Sequence, residues 1–288
     1  MTTASVLAFF LVLYLLAGVA INLGYHRVLA HRSLKLPKGL ERTLVTLGLP
    51  TGTPVQWVGN HRYHHAHTDT PLDPHSPFQR GFWYAHVGWY LGSDNVLLCV
   101  LYSLAGPFRL LIDAWMRPRT NQEFNVLAVD IAADPWYRLM SRPWPYAAAM
   151  HLHFLVPVLA AWYLWGFRGY VVVWFTFVAL YNMGDAIDSV AHIFGTRLSG
   201  QHDRSRNSLV LGLLILGEGW HANHHRFPWS AKHGLAKGEF DWTWQVIRVL
   251  RAVGLARDVR VPTATPLPGT LDFSGTSDFS ATKELSGN

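Results

Sequence analysis

The stretch Ala4-Ser5-Val6-Leu7-Ala8-Phe9-Phe10-Leu11-Val12-Leu13-Tyr14-Leu15-Leu16-Ala17-Gly18-Val19-Ala20-Ile21-Asn22-Leu23 runs straight into Gly24-Tyr25-His26-Arg27-Val28-Leu29-Ala30-His31-Arg32 and decides the fold. Ala4 to Leu23 carries no charge and has the length of a bilayer-spanning helix. No basic region precedes it, which argues against a signal peptide. Arg27, Arg32, Lys35, Lys38 and Arg42 follow it, so its C-terminal end is expected at the cytoplasmic face. A histidine pair placed there lies where a membrane protein meets cytosol.

The rest of the 288 residues agrees with a membrane protein. Half are hydrophobic and only 15% are charged, leaving little polar surface to cover a soluble globule. The net charge of +6 does not point to nucleic acid, because the Lys and Arg form no long run and flank the apolar segments. A single cysteine, Cys99, excludes an intrachain disulfide framework and a cysteine-based metal site. Ala147 to Trp165 and Tyr170 to Ile187 read as two more spans, joined by Gly166-Phe167-Arg168-Gly169 into a hairpin with both ends cytoplasmic. Pro50 and Pro54 interrupt Leu44 to Gly59, which reads as an interfacial or buried helical stretch. Val96 to Trp115, broken by Gly106 and Pro107, reads as a re-entrant or surface-lying hairpin. From Ser189 on the chain is expected to be cytosolic, with an amphipathic helix near Trp242 to Val253. The fold class is thus all-α integral membrane, with three to four transmembrane helices and a cytosolic helical cap. Residues 1–261 form one domain, and 262–288, rich in Thr, Ser, Gly and Pro, read as a disordered tail.

Sixteen histidines are the compositional outlier, and nine fall in four clusters. These are His26 with His31; His61, His64 and His65; His192, four residues after Asp188; and His221, His224 and His225. On a helix, residues three and four apart share a face, so each His-x-x-His-His is expected to point its imidazoles at one volume. Asp188 and His192 share a face for the same reason. His26 and His31 are five apart, which requires a distorted helix or two different metals. One His-x-x-His-His can be an exposed helix face; two copies with a His-x4-His on one side of a membrane are a metal-site pattern. Nine imidazoles and a carboxylate exceed the needs of one ion, so two metals are the economical count. Imidazole alone does not name the ion, but a structural zinc usually recruits cysteine. His67, His75, His86, His202 and His233 fit no ligand spacing, and Asp69, Asp73 and Glu218 are candidate acceptors for ligand N–H groups.

From Gly24 to Val261 the chain resembles membrane fatty acyl desaturases of the stearoyl-CoA type. The resemblance rests on Gly24-Tyr25-His26-Arg27, His31-Arg32-Ser33, His61 through Asp73-Pro74-His75, Ser189-Val190-Ala191-His192-Ile193-Phe194-Gly195, and Gly217-Glu218-Gly219-Trp220-His221 through Phe227-Pro228-Trp229. It implies two Fe ions held by His26, His31, His61, His64, His65, His192, His221, His224 and His225, with Asp188 contributing directly or through water. It also implies an acyl tunnel, for which Trp57, Gly184 and Asp185 are wall candidates, and electrons from a separate donor such as ferredoxin or a cytochrome b5-like protein. The substrate would be a saturated acyl chain on CoA, acyl carrier protein or lipid, desaturated at a delta-9-like position on the cytoplasmic side of the membrane. Three departures stand out. Asp188 replaces a usual Asn, Gly184-Asp185 replaces a usual Thr-Trp, and the family's helix before the first histidine cluster is not seen, leaving three spans with the N-terminus outside. Two other readings remain: a hydroxylase or acetylenase using the same site, and a non-catalytic metal-binding or lipid-sensing membrane protein.

Overall fold

The computed structural model describes residues 3–263. The tail expected from residue 262 lies, apart from its first two residues, outside the described part. Among the described residues there are helices, turns and three isolated β-bridges, and no extended strand.

Three helices are long and apolar enough to cross a membrane: Ala4–Ala30, Pro143–Trp165 and Phe167–Ile193. The first packs against the third, the third against the second, and the second against Phe108–Met116. Their outer faces keep Leu7, Leu11, Leu152, Val156 and Leu159 exposed, as an acyl-chain solvent requires and water would penalise. The segment expected as a re-entrant or surface-lying hairpin is a bent pair of helices. Helices Val96–Ser103 and Phe108–Arg119 meet at 119° across the Gly106-Pro107 break. The two prolines of Leu44–Gly59 interrupt it: Pro50 lies in a 3₁₀ turn, Leu49–Thr51, that follows Lys38–Leu47, and Pro54 opens the next helix, Pro54–His67. Thr53 caps the second of these, its side chain accepting from the Gln56 N–H.

The first span changes winding before it ends. From Ala20 to Ala30 it is a π-helix, and the His31 N–H donates to the His26 carbonyl at 3.1 Å. An α-helix would set positions five apart about 140° away from each other. The i→i+5 pattern puts them on one face, with ring centroids 4.8 Å apart. The five-residue spacing therefore records the distortion, not two separate metals.

A buried ion network fastens the C-terminal cap to this span. Arg27 is 0% exposed and donates to Glu218 at 3.0 Å, to both Asp241 oxygens at 3.0 and 3.1 Å, and to the Ala231 carbonyl at 2.7 Å. Asp241 also caps the amphipathic helix Trp242–Ala252. The Gly217-Glu218-Gly219 backbone passes through this crowded joint. Gly217 has φ +108°, and a Cβ there would lie 2.2 Å from Asp241 Oδ1, while one on Gly219 would lie 2.1 Å from the Gly212 nitrogen. Removing one partner of a buried charge network typically costs about 3–5 kcal/mol. Asp241→Ala is therefore expected to destabilise the cap by about that amount. Limited proteolysis should then cut around Trp242–Ala252 while leaving the spans intact; unchanged protection would refute the clasp.

Candidate metal centre

Each histidine cluster enters from a different element. The π-turn brings His26 and His31; Pro54–His67 brings His61, His64 and His65. The third span breaks at Ser189 and restarts as Val190–Ile193 with His192, and the short helix His221–Arg226 brings His221, His224 and His225. Ring nitrogens of His26, His31, His61, His65 and His224 lie within 4.8 Å of one another, and those of His64, His192, His221 and His225 form a second such group. The nine histidines thus sort into five and four.

This partition corrects the expectation that each His-x-x-His-His points at one volume. Residues four apart, His61 with His65 and His221 with His225, stay together. Residues three apart, His61 with His64 and His221 with His224, go to opposite groups. The two helices lie between the groups, and their consecutive histidines diverge to serve both. Asp188 belongs to neither group: its Oδ1 is 3.9 Å from His75 Nδ1.

The facing atoms are chemically alike. Nε2 to Nε2 distances are 2.7 Å for His31 and His61, 3.1 Å for His61 and His65, 2.9 Å for His65 and His224, and 3.1 Å for His26 and His224. In the second group His192 and His221 approach through Nε2 at 3.1 Å, and the buried Nε2 of His225 has no hydrogen-bond partner. Several Nδ1 atoms instead meet carboxylates. His26 faces Glu218 at 2.6 Å, His64 faces Asp73 at 3.0 Å, His192 faces Asp69 at 3.1 Å, and His225 faces Asp203 at 3.4 Å. A carboxylate behind the ring fixes the tautomer that aims the Nε2 lone pair inward. Converging lone pairs, one of them orphaned, fit a cation, and both groups can hold a metal ion.

The sequence pointed to Asp69, Asp73 and Glu218, but not to Asp203, which follows His202 with no spacing signal. His233, set aside on spacing, lies 3.1 Å from Glu218 and with it and His26 makes a third close group. His75 stacks on His64 at 4.2 Å between ring centroids.

Burial, reinforced by repulsion among the rings, holds His31, His61, His65, His221, His224 and His225 well below the usual value of 6.5. His64 is the exception: burial lowers it too, but the Asp73 carboxylate more than offsets this and raises it. Neutral imidazole is the ligating form, so the fold keeps most of the set ready.

His26, His61, His64 and His221 also line one end of a cavity that runs between the first and third spans past Ala17, Ile21 and Phe177. Trp57, Gly184, Asp185 and Asp188 lie on its wall. Trp57 stacks on His61 at 4.9 Å. Asp185 meets no histidine; it pairs with Arg109 at 2.6 Å and accepts from the Tyr90 hydroxyl at 2.8 Å.

Comparison with known proteins bears on the same residues. The model of the fatty acid desaturase family matches residues 3–238. A probable chloroplastic lipid desaturase of Arabidopsis thaliana is 37% identical over 257 residues, 88% of this chain and 63% of the relative. An acyl-CoA C20 Delta5-desaturase of Anemone leveillei is 36% identical over 260 residues, covering 87% and 72% of the two chains. An sn-1 stearoyl-lipid 9-desaturase of Anabaena variabilis is 34% identical over 255 residues, covering 87% and 82%. The chain thus spans less than two thirds of the first relative's length and more of the others.

Two outcomes are expected. Asp73→Ala removes the acceptor behind His64 and should weaken metal binding about 10–100-fold, read by equilibrium dialysis; unchanged affinity would contradict the orienting role. The pH effect has a definite sign. An unfolded chain protonates its imidazoles near 6.5, whereas six of these resist protonation when folded, so the unfolded state binds more protons below that pH. The metal-free protein should hold its stability above 6.5 and lose it as pH falls towards the depressed folded values, with His64 opposing the trend among these histidines. A melting temperature that stays flat from about pH 8 to about pH 5 would be inconsistent with this.

Proposed function

This chain belongs to the fatty acid desaturase family, and from that premise we propose that it is a di-iron, O₂-dependent desaturase that introduces a cis double bond into a saturated fatty acyl chain. The observation that carries the reading is the convergence of nine imidazoles in two groups at the end of a cavity between membrane-spanning helices.

The overall change takes one hydrogen from each of two neighbouring methylenes and, with O₂, two electrons and two protons, yields the alkene and two waters. Iron bound by the two groups would supply the oxidising power, drawn from O₂, that an unactivated C–H bond requires. The chain's own residues do the rest. Ala17, Ile21 and Phe177 give the acyl chain an apolar path, and Trp57 closes the wall beside His61. Asp69, Asp73, Asp203 and Glu218 hold the imidazoles in their ligating tautomer. Packing around the histidines excludes water, which protects a reactive site from side reactions.

The donor in this reading is a separate redox protein of the ferredoxin or cytochrome b5-like kind, since the single cysteine Cys99 cannot itself hold an iron–sulfur cluster. The basic residues that follow the first span, Arg32, Lys35, Lys38 and Arg42, support a cytoplasmic active site. The delta-9-like position is supported by similarity to the sn-1 stearoyl-lipid 9-desaturase; the names of the relatives cover both acyl-CoA and lipid substrates. Asp188 beside the histidine groups favours one further outcome to look for, a hydroxylated or alkynyl product from the same site.

The test is fatty-acid profiling of cells that express the chain, against His64→Ala, with double bonds localised by mass spectrometry. New monounsaturated chains are expected with the native protein only, and loss of O₂ or reductant should stop them. Hydroxylated or alkynyl chains would move the assignment to an oxygenase or acetylenase. Equal profiles from native and His64→Ala proteins, with a redox partner supplied, would overturn the desaturase reading.

A further inference from the structure

The bent pair Val96–Ser103 and Phe108–Arg119 brings Arg117 to the cavity wall, and Arg109 and Arg117 are treated differently. Arg109 is held by its terminal nitrogens: they grip Asp185 at 2.6 and 3.1 Å and contact the Tyr90 hydroxyl, and the guanidinium lies over the Tyr181 ring at 4.0 Å. Its Nε, 3.7 Å from Asp113, makes no hydrogen bond among the described residues. Arg117 is only 5% exposed and lines the cavity, yet among the described residues its side chain makes no hydrogen bond. Its Nε is 3.7 Å from Asp113 Oδ2, an ion pair too long for a hydrogen bond, and its guanidinium sits over the Tyr90 ring at 3.7 Å. Asp113 is itself engaged by the Tyr102 hydroxyl. A guanidinium is a planar fork of donors with no acceptor, and burying it beside a purely hydrocarbon chain leaves those donors unmade.

Charge decides what the fork would meet. Arg109 faces Asp185 and Arg117 faces Asp113, so two cations already balance two carboxylates. A further anion would leave this buried balance one negative charge in excess, whereas a neutral oxygen would satisfy the fork and keep it. We propose that Arg117 is a hydrogen-bond subsite for a neutral oxygen acceptor carried by the lipid substrate, an ester carbonyl or a chain hydroxyl. It makes the cavity selective for oxygenated lipids over plain hydrocarbon chains. The inference rests on the acyl-substrate reading above and adds the chemistry of the substrate to it. Arg117 is a specificity residue: it touches substrate away from the carbons that react.

The experiment measures equilibrium binding to the metal-loaded full-length protein in detergent, so that it does not depend on turnover. One pair of probes is a phosphatidylcholine with a stearoyl ester and its ether analogue, which lacks the carbonyl. The other is stearoyl-CoA and a series hydroxylated at successive mid-chain carbons. The native protein is expected to prefer the oxygenated member of one pair by about tenfold, the effect of one charge-assisted hydrogen bond. Preference for ester over ether assigns the oxygen to an intact lipid; preference for a hydroxylated chain assigns it to the acyl chain. Arg117→Met should abolish the preference, and Arg117→Lys, which keeps the charge towards Asp113 but loses the fork, should retain a fraction of it. Should the Met variant fail to fold or load metal, the native and Lys proteins decide the matter on the same pairs. Equal affinities within both pairs in the native protein, or a preference that survives Arg117→Met, would overturn the subsite alone. If no stearoyl probe binds, the desaturase reading falls with it.

Discussion

Glu218 is the residue on which both the fold and the site depend. Its two carboxylate oxygens meet His26 at 2.6 Å, Arg27 at 3.0 Å and His233 at 3.1 Å, so one side chain links the first span, a candidate metal ligand and the C-terminal cap. Burial disfavours its charge, but His233, His26 and Arg27 more than compensate and hold it well below the usual carboxylate value. The charge is affordable only because Arg27 has a second carboxylate in Asp241. Removing water from one of these groups requires that all of them arrive together, which makes the junction between membrane and cap cooperative.

The same logic organises the histidines. Carboxylates stand on the outer side of His26, His64, His192 and His225, and nitrogens without charge stand on the inner side. Negative charge is thereby kept one ring away from the centre. The cavity repeats the arrangement farther along: Asp185 is neutralised by Arg109 in its wall, and apolar side chains take over beyond. An ionisable residue in a span marks function, and Asp185 does so through Arg109, its partner on the bent helix pair.

Much of this was legible in the sequence, because the features concerned are periodic or local. An uncharged run from Ala4 to Leu23 has one physical meaning, and four histidine clusters with helical spacing have few. The Gly106-Pro107 break identified a hairpin because proline cannot continue a helix. What escaped was decided by packing between distant segments. Helical spacing put His64 with His61, yet each lies in a different group because the helix passes between two volumes and its side chains splay to both. Spacing also could not pair Asp185 with Arg109, 76 positions away, or reveal that Gly217 yields its side-chain space to Asp241. The irregular separation of His26 and His31 signalled a distortion; only the backbone showed it to be a π-helix over Ala20 to Ala30.

The separation of the paired residues along the chain has a consequence for how the protein is made. Chains emerge from the ribosome N-terminus first. His26 meets His224 across 198 positions, and both histidine groups need the segment His221–Arg226, so neither can be complete while that segment is still untranslated. The spans can insert early, one after another, but Arg27 must wait at the membrane boundary, in contact with water, until Glu218 and Asp241 have been synthesised. Acquisition of any metal is thus a late event in biogenesis, and a ribosome stalled before residue 221 leaves an inserted protein with its spans in place, one histidine short in the first cage and two short in the second.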